Sequence, residues 1–248
     1  MSDNAAPATP PRALVGTSGF SYKEWKGTFY PAGLAEKRFL AHYATRLPAV
    51  EIDGTFYRMP SASTIERWVA DTPEDFRFAV KASQKITHFE RMKLPSDALA
   101  YFTRTVLGLG PRLGTVLFQL PPNLKRDDER LARFLDALPA ELPRVFEFRH
   151  ASWFDEVVFE RLRQGRAGVC VHESDEGTTP LVATGTCAYV RLRRTQYSAE
   201  TLRTWADRLL AWRQSGTDAL AFVKHEENPD CPVLAEALWA LVRPEPAS

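Results

Sequence analysis

Short apolar runs alternate with amphipathic stretches along the whole chain, and this alternation limits the fold more tightly than any single motif. Eight runs qualify as strands by their β-branched or aromatic character: residues 13–17, 49–53, 76–81, 114–120, 144–149, 167–172, 187–193 and 219–224. They recur roughly every 20 to 40 residues, the interval of βα repeats. No Gly/Ser-rich or Pro-rich linker divides them. Residues 12–243 therefore read as one domain between a disordered N-terminal tail, 1–11, and a C-terminal tail, 244–248.

The gaps between strands carry helix signals. Residues 34–47 place apolar side chains at helical spacing, and Ser63 with Glu66 forms a capping box ahead of Trp68 and Val69. Ser96 caps a helix reaching Leu107, Asp127 opens one reaching Leu138, and residues 153–162, 201–212 and 233–242 complete the series. The sixth gap, 173–186, is rich in glycine and threonine and too short to cover a strand, so a long loop is expected there. Eight parallel strands predict a single closed (β/α)8 TIM-type barrel, an α/β fold that leaves no strand edge unpaired, with its sixth βα unit lacking a full helix. A doubly wound open sheet would need a glycine-rich phosphate turn opening a helix after its first strand. Gly16-Thr17-Ser18-Gly19-Phe20 has the glycines, but no helix pattern begins there.

Composition narrows the partners. Hydrophobic residues are 44% and charged residues 25% of the chain, which excludes disordered and low-complexity classes. The 32 basic side chains balance 31 acidic ones, so net charge calls for neither a polyanion nor a membrane surface. Three scattered cysteines, Cys170, Cys187 and Cys231, form no CxxC pair and suit neither a disulfide framework nor a cysteine zinc site. The first eleven residues lack the basic region and apolar core of a secretory signal, and no apolar run is long enough to span a bilayer. The expected location is cytoplasmic, with no membrane partner; these features set no oligomeric state.

Strand parity then maps the polar residues. Barrel strands alternate between the interior and the helix layer, so Val145, Glu147 and Arg149 share the inner side against Phe146 and Phe148. Likewise Tyr189, Arg191 and Arg193 oppose Val190 and Leu192. The same rule turns Glu51, Asp53, Lys81, Gln119, His172 and Lys224 inward, nearly all at C-terminal strand ends, where barrel enzymes build their sites. Five cations, Lys81, Arg149, Arg191, Arg193 and Lys224, meet three anions, Glu51, Asp53 and Glu147. An excess of positive charge implies a small anionic ligand bearing phosphate or carboxylate. The competing reading is a buried ion-pair network that only fills the barrel.

The loop after the first strand adds Phe20, Tyr22, Trp25, Phe29 and Tyr30 among Lys23 and Lys26, and the loop after the second adds Phe56, Tyr57 and Arg58. Such aromatics could stack a base or sugar beside an anion site, or plug the top of the barrel.

Several ordered motifs resemble one family. Gly16-Thr17-Ser18-Gly19-Phe20-Ser21-Tyr22, with Trp25, Gly27 and Phe29-Tyr30-Pro31, is similar to the opening signature of the YecE-like family, domain of unknown function 72. The similarity continues through Val50-Glu51-Ile52-Asp53-Gly54-Thr55-Phe56-Tyr57, Trp68, Phe78-Ala79-Val80-Lys81, Ile86-Thr87-His88, residues 114–121, Glu147-Phe148-Arg149-His150 with Trp153, and Tyr189-Val190-Arg191-Leu192. The resemblance implies a TIM-type barrel and places Glu51, Lys81, Gln119, Glu147, Arg149 and Arg191 at motif positions; it assigns no reaction. Arg193-Arg194 stands where many relatives have His-Gly, and Lys224-His225-Glu226 where they have Asn-Asn.

Two function classes follow. The first is an enzyme acting on a phosphate-containing or other anionic substrate, including a phosphodiester, as a hydrolase or lyase. Its catalytic residues would be Glu51 or Glu147 as general acid or base and Lys81 as charge stabiliser. Gln119, Arg149, Arg191, Arg193, Lys224, Tyr22, Trp25 and Tyr57 would bind substrate. No cofactor is expected. A divalent metal held by Glu51, Glu147, His172 and Glu226 is disfavoured by the neighbouring cations and by the lack of an HxH or HExxH motif. The alternative class is a non-catalytic binding protein for nucleic acid or a small anionic metabolite.

Overall fold

The structure, a computed structural model, describes residues 10–224 and 230–244. His225, Glu226, most of the N-terminal tail and the last residues of the C-terminal tail lie outside the described residues. The strands are β1 (Ala13–Ser18), β2 (Ala49–Ile52), β3 (Arg77–Lys81), β4 (Leu113–Gln119), β5 (Arg144–Glu147), β6 (Gly168–Ser174), β7 (Gly177–Thr178), β8 (Cys187–Leu192) and β9 (Asp218–Val223). Apart from the two-residue β7, all pair in parallel in the order β5-β4-β3-β2-β1-β9-β8-β6. β6 then returns to β5 at Val145 with Gly168 and Phe146 with Val169, closing the barrel. The eight expected strands and the (β/α)8 architecture are both present.

The helices are α1 (Phe39–Tyr43), α2 (Ala62–Ala70), α3 (Asp97–Leu107), α4 (Asp128–Ala137), α5 (Glu156–Gln164), α6 (Ala199–Gln214) and α7 (Cys231–Val242). No helix separates β6 from β8, as expected, but the segment is not loop throughout: β6 runs on to Ser174 and folds back as a short hairpin with β7. Ser96 and Asp127 cap α3 and α4 as expected, accepting from Leu99 N and Arg130 N.

Five helix starts differ from the sequence reading; α6 and α7 begin two residues earlier than expected, at Ala199 and Cys231. Ser61, not Ser63, caps α2 by accepting from Thr64 N, because Ser61 is itself extended and Ser63 is already inside the helix. The stretch 34–47 is a 3-10 turn, Glu36–Arg38, followed by the single turn of α1, since the chain must double back within a few residues to reach β2. The fifth helix starts later, at Glu156, where the Asp155 carboxylate accepts from Val157 N.

Parity sorts the core as the alternation demands. Ala49, Ala79, Leu117, Val145, Tyr189 and Phe222 face one another inside the barrel, while Phe78, Val116, Phe118, Phe146, Val190 and Leu192 pack beneath the helices. Gly16 is required at the β1–β2 seam, where an added Cβ would lie 1.9 Å from Ala49 O. Tyr43 locks that seam, donating to Ala49 O at 2.9 Å and accepting from Thr17 N at 2.8 Å. The glycine motif of β1 thus serves close packing, and only a 3-10 turn, Lys23–Trp25, follows it.

Candidate functional site

At the C-terminal mouth, strand ends bring one guanidinium and three carboxylates together. Arg191, on β8, is fully buried; its Nη2 donates to Glu51 Oε1 at 2.7 Å and to Asp53 Oδ1 at 3.1 Å, and its Nη1 donates to Glu147 Oε2 at 2.8 Å. Glu51 also accepts from the Ser18 and Tyr189 hydroxyls, and Glu147 from Gln119 Nε2 at 2.8 Å. The network ties β1, β2, β4, β5 and β8 across the barrel. Burying Arg191 opposes its charge, but Glu51, Glu147 and Asp53 outweigh that penalty and hold it firmly protonated.

The glutamates behave alike. Burial pushes Glu51 and Glu147 up, but Arg191 and its neighbours prevail and hold both below the usual carboxylate range. For Glu51 the helpers are Arg193, Ser18 and Tyr189; for Glu147 they are Arg149, Arg193 and Gln119. Arg149 Nη2 sits 2.6 Å from Glu147 Oε1 without hydrogen-bond alignment, so that oxygen keeps an unused acceptor direction.

Nearer solvent lies a second pair. The Asp53 side chain is 26% exposed, and Lys81 Nζ stands 3.7 Å from its Oδ1 and 4.3 Å above the Phe56 ring. Burial and the Glu51 charge push the Asp53 carboxyl up despite Arg191 and Lys81. Burial pulls the Lys81 ammonium down despite Asp53. The two shifts run toward each other, the acid made weaker and the base less basic. The sequence marked Asp53 only as a polar strand end; its exposure depends on where β2 stops.

Arg193 follows the end of β8, is half-buried and forms no ion pair among the described residues; its Nε is buried without a hydrogen-bond partner. Burial and Arg191 pull its pKa down, against Glu51, Glu147 and Asp53. His172 is held neutral until about pH 4 by burial, which outweighs the Glu147 charge. Lys224 ends β9 at the same mouth, its backbone N–H donating to Leu192 O at 2.8 Å.

The structure separates the aromatic candidates. Trp25 is 2% exposed, enclosed by Tyr22, Phe29 and Tyr30, and offers no face to a ligand. Tyr22 is half-buried and donates to Ser18 O at 2.8 Å, whereas Tyr57 is 76% exposed. The first loop is therefore mainly a packed plug, because its rings stack on α1 through Tyr30 and Phe39. Among the described residues no group of three His, Cys, Asp or Glu side chains could hold a metal ion; Arg191 fills the space between Glu51 and Glu147.

A closed eight-stranded barrel with a polar, ion-paired mouth defines a TIM-type barrel protein. The family model described as "Protein of unknown function DUF72" matches residues 14–248, and the chain belongs to that family. It is 26% identical to the UPF0759 protein YecE of Escherichia coli O157:H7, over 82% of this chain and 85% of that one. It is 34% identical to the UPF0759 protein YunF of Bacillus subtilis, over 54% of this chain and 50% of that one. The crystal structure of a DUF72 family protein from Thermotoga maritima superposes with a TM-score of 0.76 at 29% identity, covering 92% of this chain and 96% of that one. Among the described residues no helix is long and apolar enough to cross a membrane.

Proposed function

We propose that this barrel is an enzyme that binds a compact phosphate- or carboxylate-bearing metabolite at its C-terminal mouth and moves a proton next to it, as a hydrolase or lyase does. The supporting observation is Arg193: a cation at the mouth with a buried Nε and no carboxylate partner among the described residues, above a network whose own charges are satisfied. An anion supplies what the chain does not. In this reading Arg193, Arg149 and Lys224 receive the ligand, with Gln119 as a polar contact and Tyr57 at the edge. Asp53 takes a proton from the ligand or from an attacking water, and Lys81 returns one to the leaving group. Glu51, Glu147 and Arg191, encased and ionised, position the groups above them.

The internal pairing of Lys81, Arg149 and Arg191 supports a second reading, in which the polar strand ends mainly fill the barrel and Arg193 captures a metabolite without chemistry. The burial of Trp25 weighs against nucleic acid as the ligand, since it removes a stacking face. Thermal stabilisation by a set of phosphorylated metabolites, followed by a turnover assay on those that bind, tests both. The enzyme reading expects R193Q to lower the stabilisation and lose turnover, and D53N to keep binding but lose turnover. Stabilisation and turnover both undiminished in R193Q contradict the anion site at the mouth, and undiminished turnover in D53N contradicts the proton-transfer pair.

A further inference from the structure

We infer that the N-terminal face of the barrel carries a second oxyanion site, built from Arg144 and Arg166. A cavity of about 680 Å³ opens there between the starts of β4 and β5, lined by both arginines with Glu141, Thr186, Leu107 and Leu113. Arg144 is only 8% exposed yet forms no ion pair among the described residues. Its Nε is buried without a partner, and its one hydrogen bond is a long one, Nη1 to Leu138 O at 3.5 Å. Its Nε is withdrawn from water and the side chain lines the cavity, where no carboxylate of the described residues meets it; a cation so placed gains from an anion that enters.

Arg166 adds a second uncompensated cation. It sits in the left-handed region, with φ of 51°, at the turn between α5 and β6, and it too forms no ion pair among the described residues. Burial and the Arg166 charge together pull the Arg144 pKa down. Glu141 lines the same cavity but pairs with neither arginine, and Thr186 contributes a hydroxyl. Two guanidinium forks, a hydroxyl and an apolar wall of Leu107 and Leu113 suit a phosphate group carried by a small organic metabolite, with phosphate on the arginines and carbon on the leucines. The cavity lies at the opposite end of the barrel from Arg193, so this site stands or falls independently of the mouth.

Calorimetric titration of the R193Q protein with inorganic phosphate at fixed ionic strength tests it without the mouth arginine. Binding is expected to persist in R193Q. Adding R166Q, an exposed position whose change leaves the core intact, should weaken it about tenfold or more, the loss of a charge-assisted hydrogen bond. Adding R144M instead should abolish it while leaving the unliganded protein at least as heat-stable, because an uncompensated buried charge is gone. Phosphate affinity unchanged by R166Q, or no phosphate binding by R193Q at millimolar concentration, overturns the proposal. If R144M does not fold, the R166Q result decides.

Discussion

Arg191 Nη1 donates to Glu147 Oε2 at 2.8 Å, with both side chains fully withdrawn from solvent, so a cation from β8 and an anion from β5 neutralise each other across the barrel interior. Neither strand is the other's neighbour; β6 lies between them. Removing one partner strands the other charge. R191M leaves Glu51 and Glu147 buried without it and should cost about 3–5 kcal/mol, read as a lowered urea midpoint. Replacing Arg191 and Glu51 together by methionine removes one charge of each sign and leaves Glu147 with Arg149 and Gln119, so it should recover part of that loss. An unchanged midpoint in R191M contradicts the network.

The pH dependence of stability has two limbs. His172 is depressed from 6.5 to about 4, so the unfolded chain takes up this proton first, and stability falls as pH drops through that window. Glu51 and Glu147 are held below their ordinary 4.5, so their contribution is complete above that value and is lost as pH falls further. Urea midpoints against pH should show H172N flattening the first limb and E147Q shrinking the second. Identical curves for all three proteins would contradict this.

Asp53 has the opposite sign. Its raised carboxyl favours the folded state when protonated, a contribution present below the ordinary 3.8 and lost as pH rises past the folded value. D53N should therefore be more stable than the parent at neutral pH, read as a raised urea midpoint. Asp53 is also the chief group holding the Lys81 ammonium up, so D53N should lower the Lys81 pKa further. Nuclear magnetic resonance titration of ¹³C-dimethylated lysines reads this directly; an upward move contradicts the pairing.

The seam between β1 and β2 leaves no room for a side chain at Gly16. G16A should cost roughly 3 kcal/mol or more, since the added carbon meets backbone rather than a yielding side chain. G27A is the contrast: open space surrounds Gly27, and its φ of 87° alone sets a smaller cost. Chemical unfolding of the two variants should rank them in that order.

Much of this architecture was legible because strand periodicity is a local signal. The parity of Val145, Glu147 and Arg149 against Phe146 and Phe148 turns the charges inward without reference to pairing, and the glycines and threonines of 173–186 mark the missing helix. The register between strands carries no such signal. That Arg191 would be consumed by three carboxylates depends on where β2, β5 and β8 end relative to one another, which is set by the closed barrel. Trp25 illustrates the same gap: its loop reads as aromatic, but only the fold over α1 decides that the ring is enclosed. The arginines of the opposite face were invisible for the same reason, since Arg144 and Arg166 meet only through tertiary structure.

The proposed function requires an anion at the Arg193 guanidinium, and diffraction from crystals grown with a phosphorylated metabolite that stabilises the protein is the decisive measurement. Density for the phosphate group is expected within hydrogen-bond reach of the Arg193 guanidinium, with Arg191 still bound to Glu51 and Glu147. Arg193 paired instead with a carboxylate of the chain, at a mouth without an anion, would contradict it.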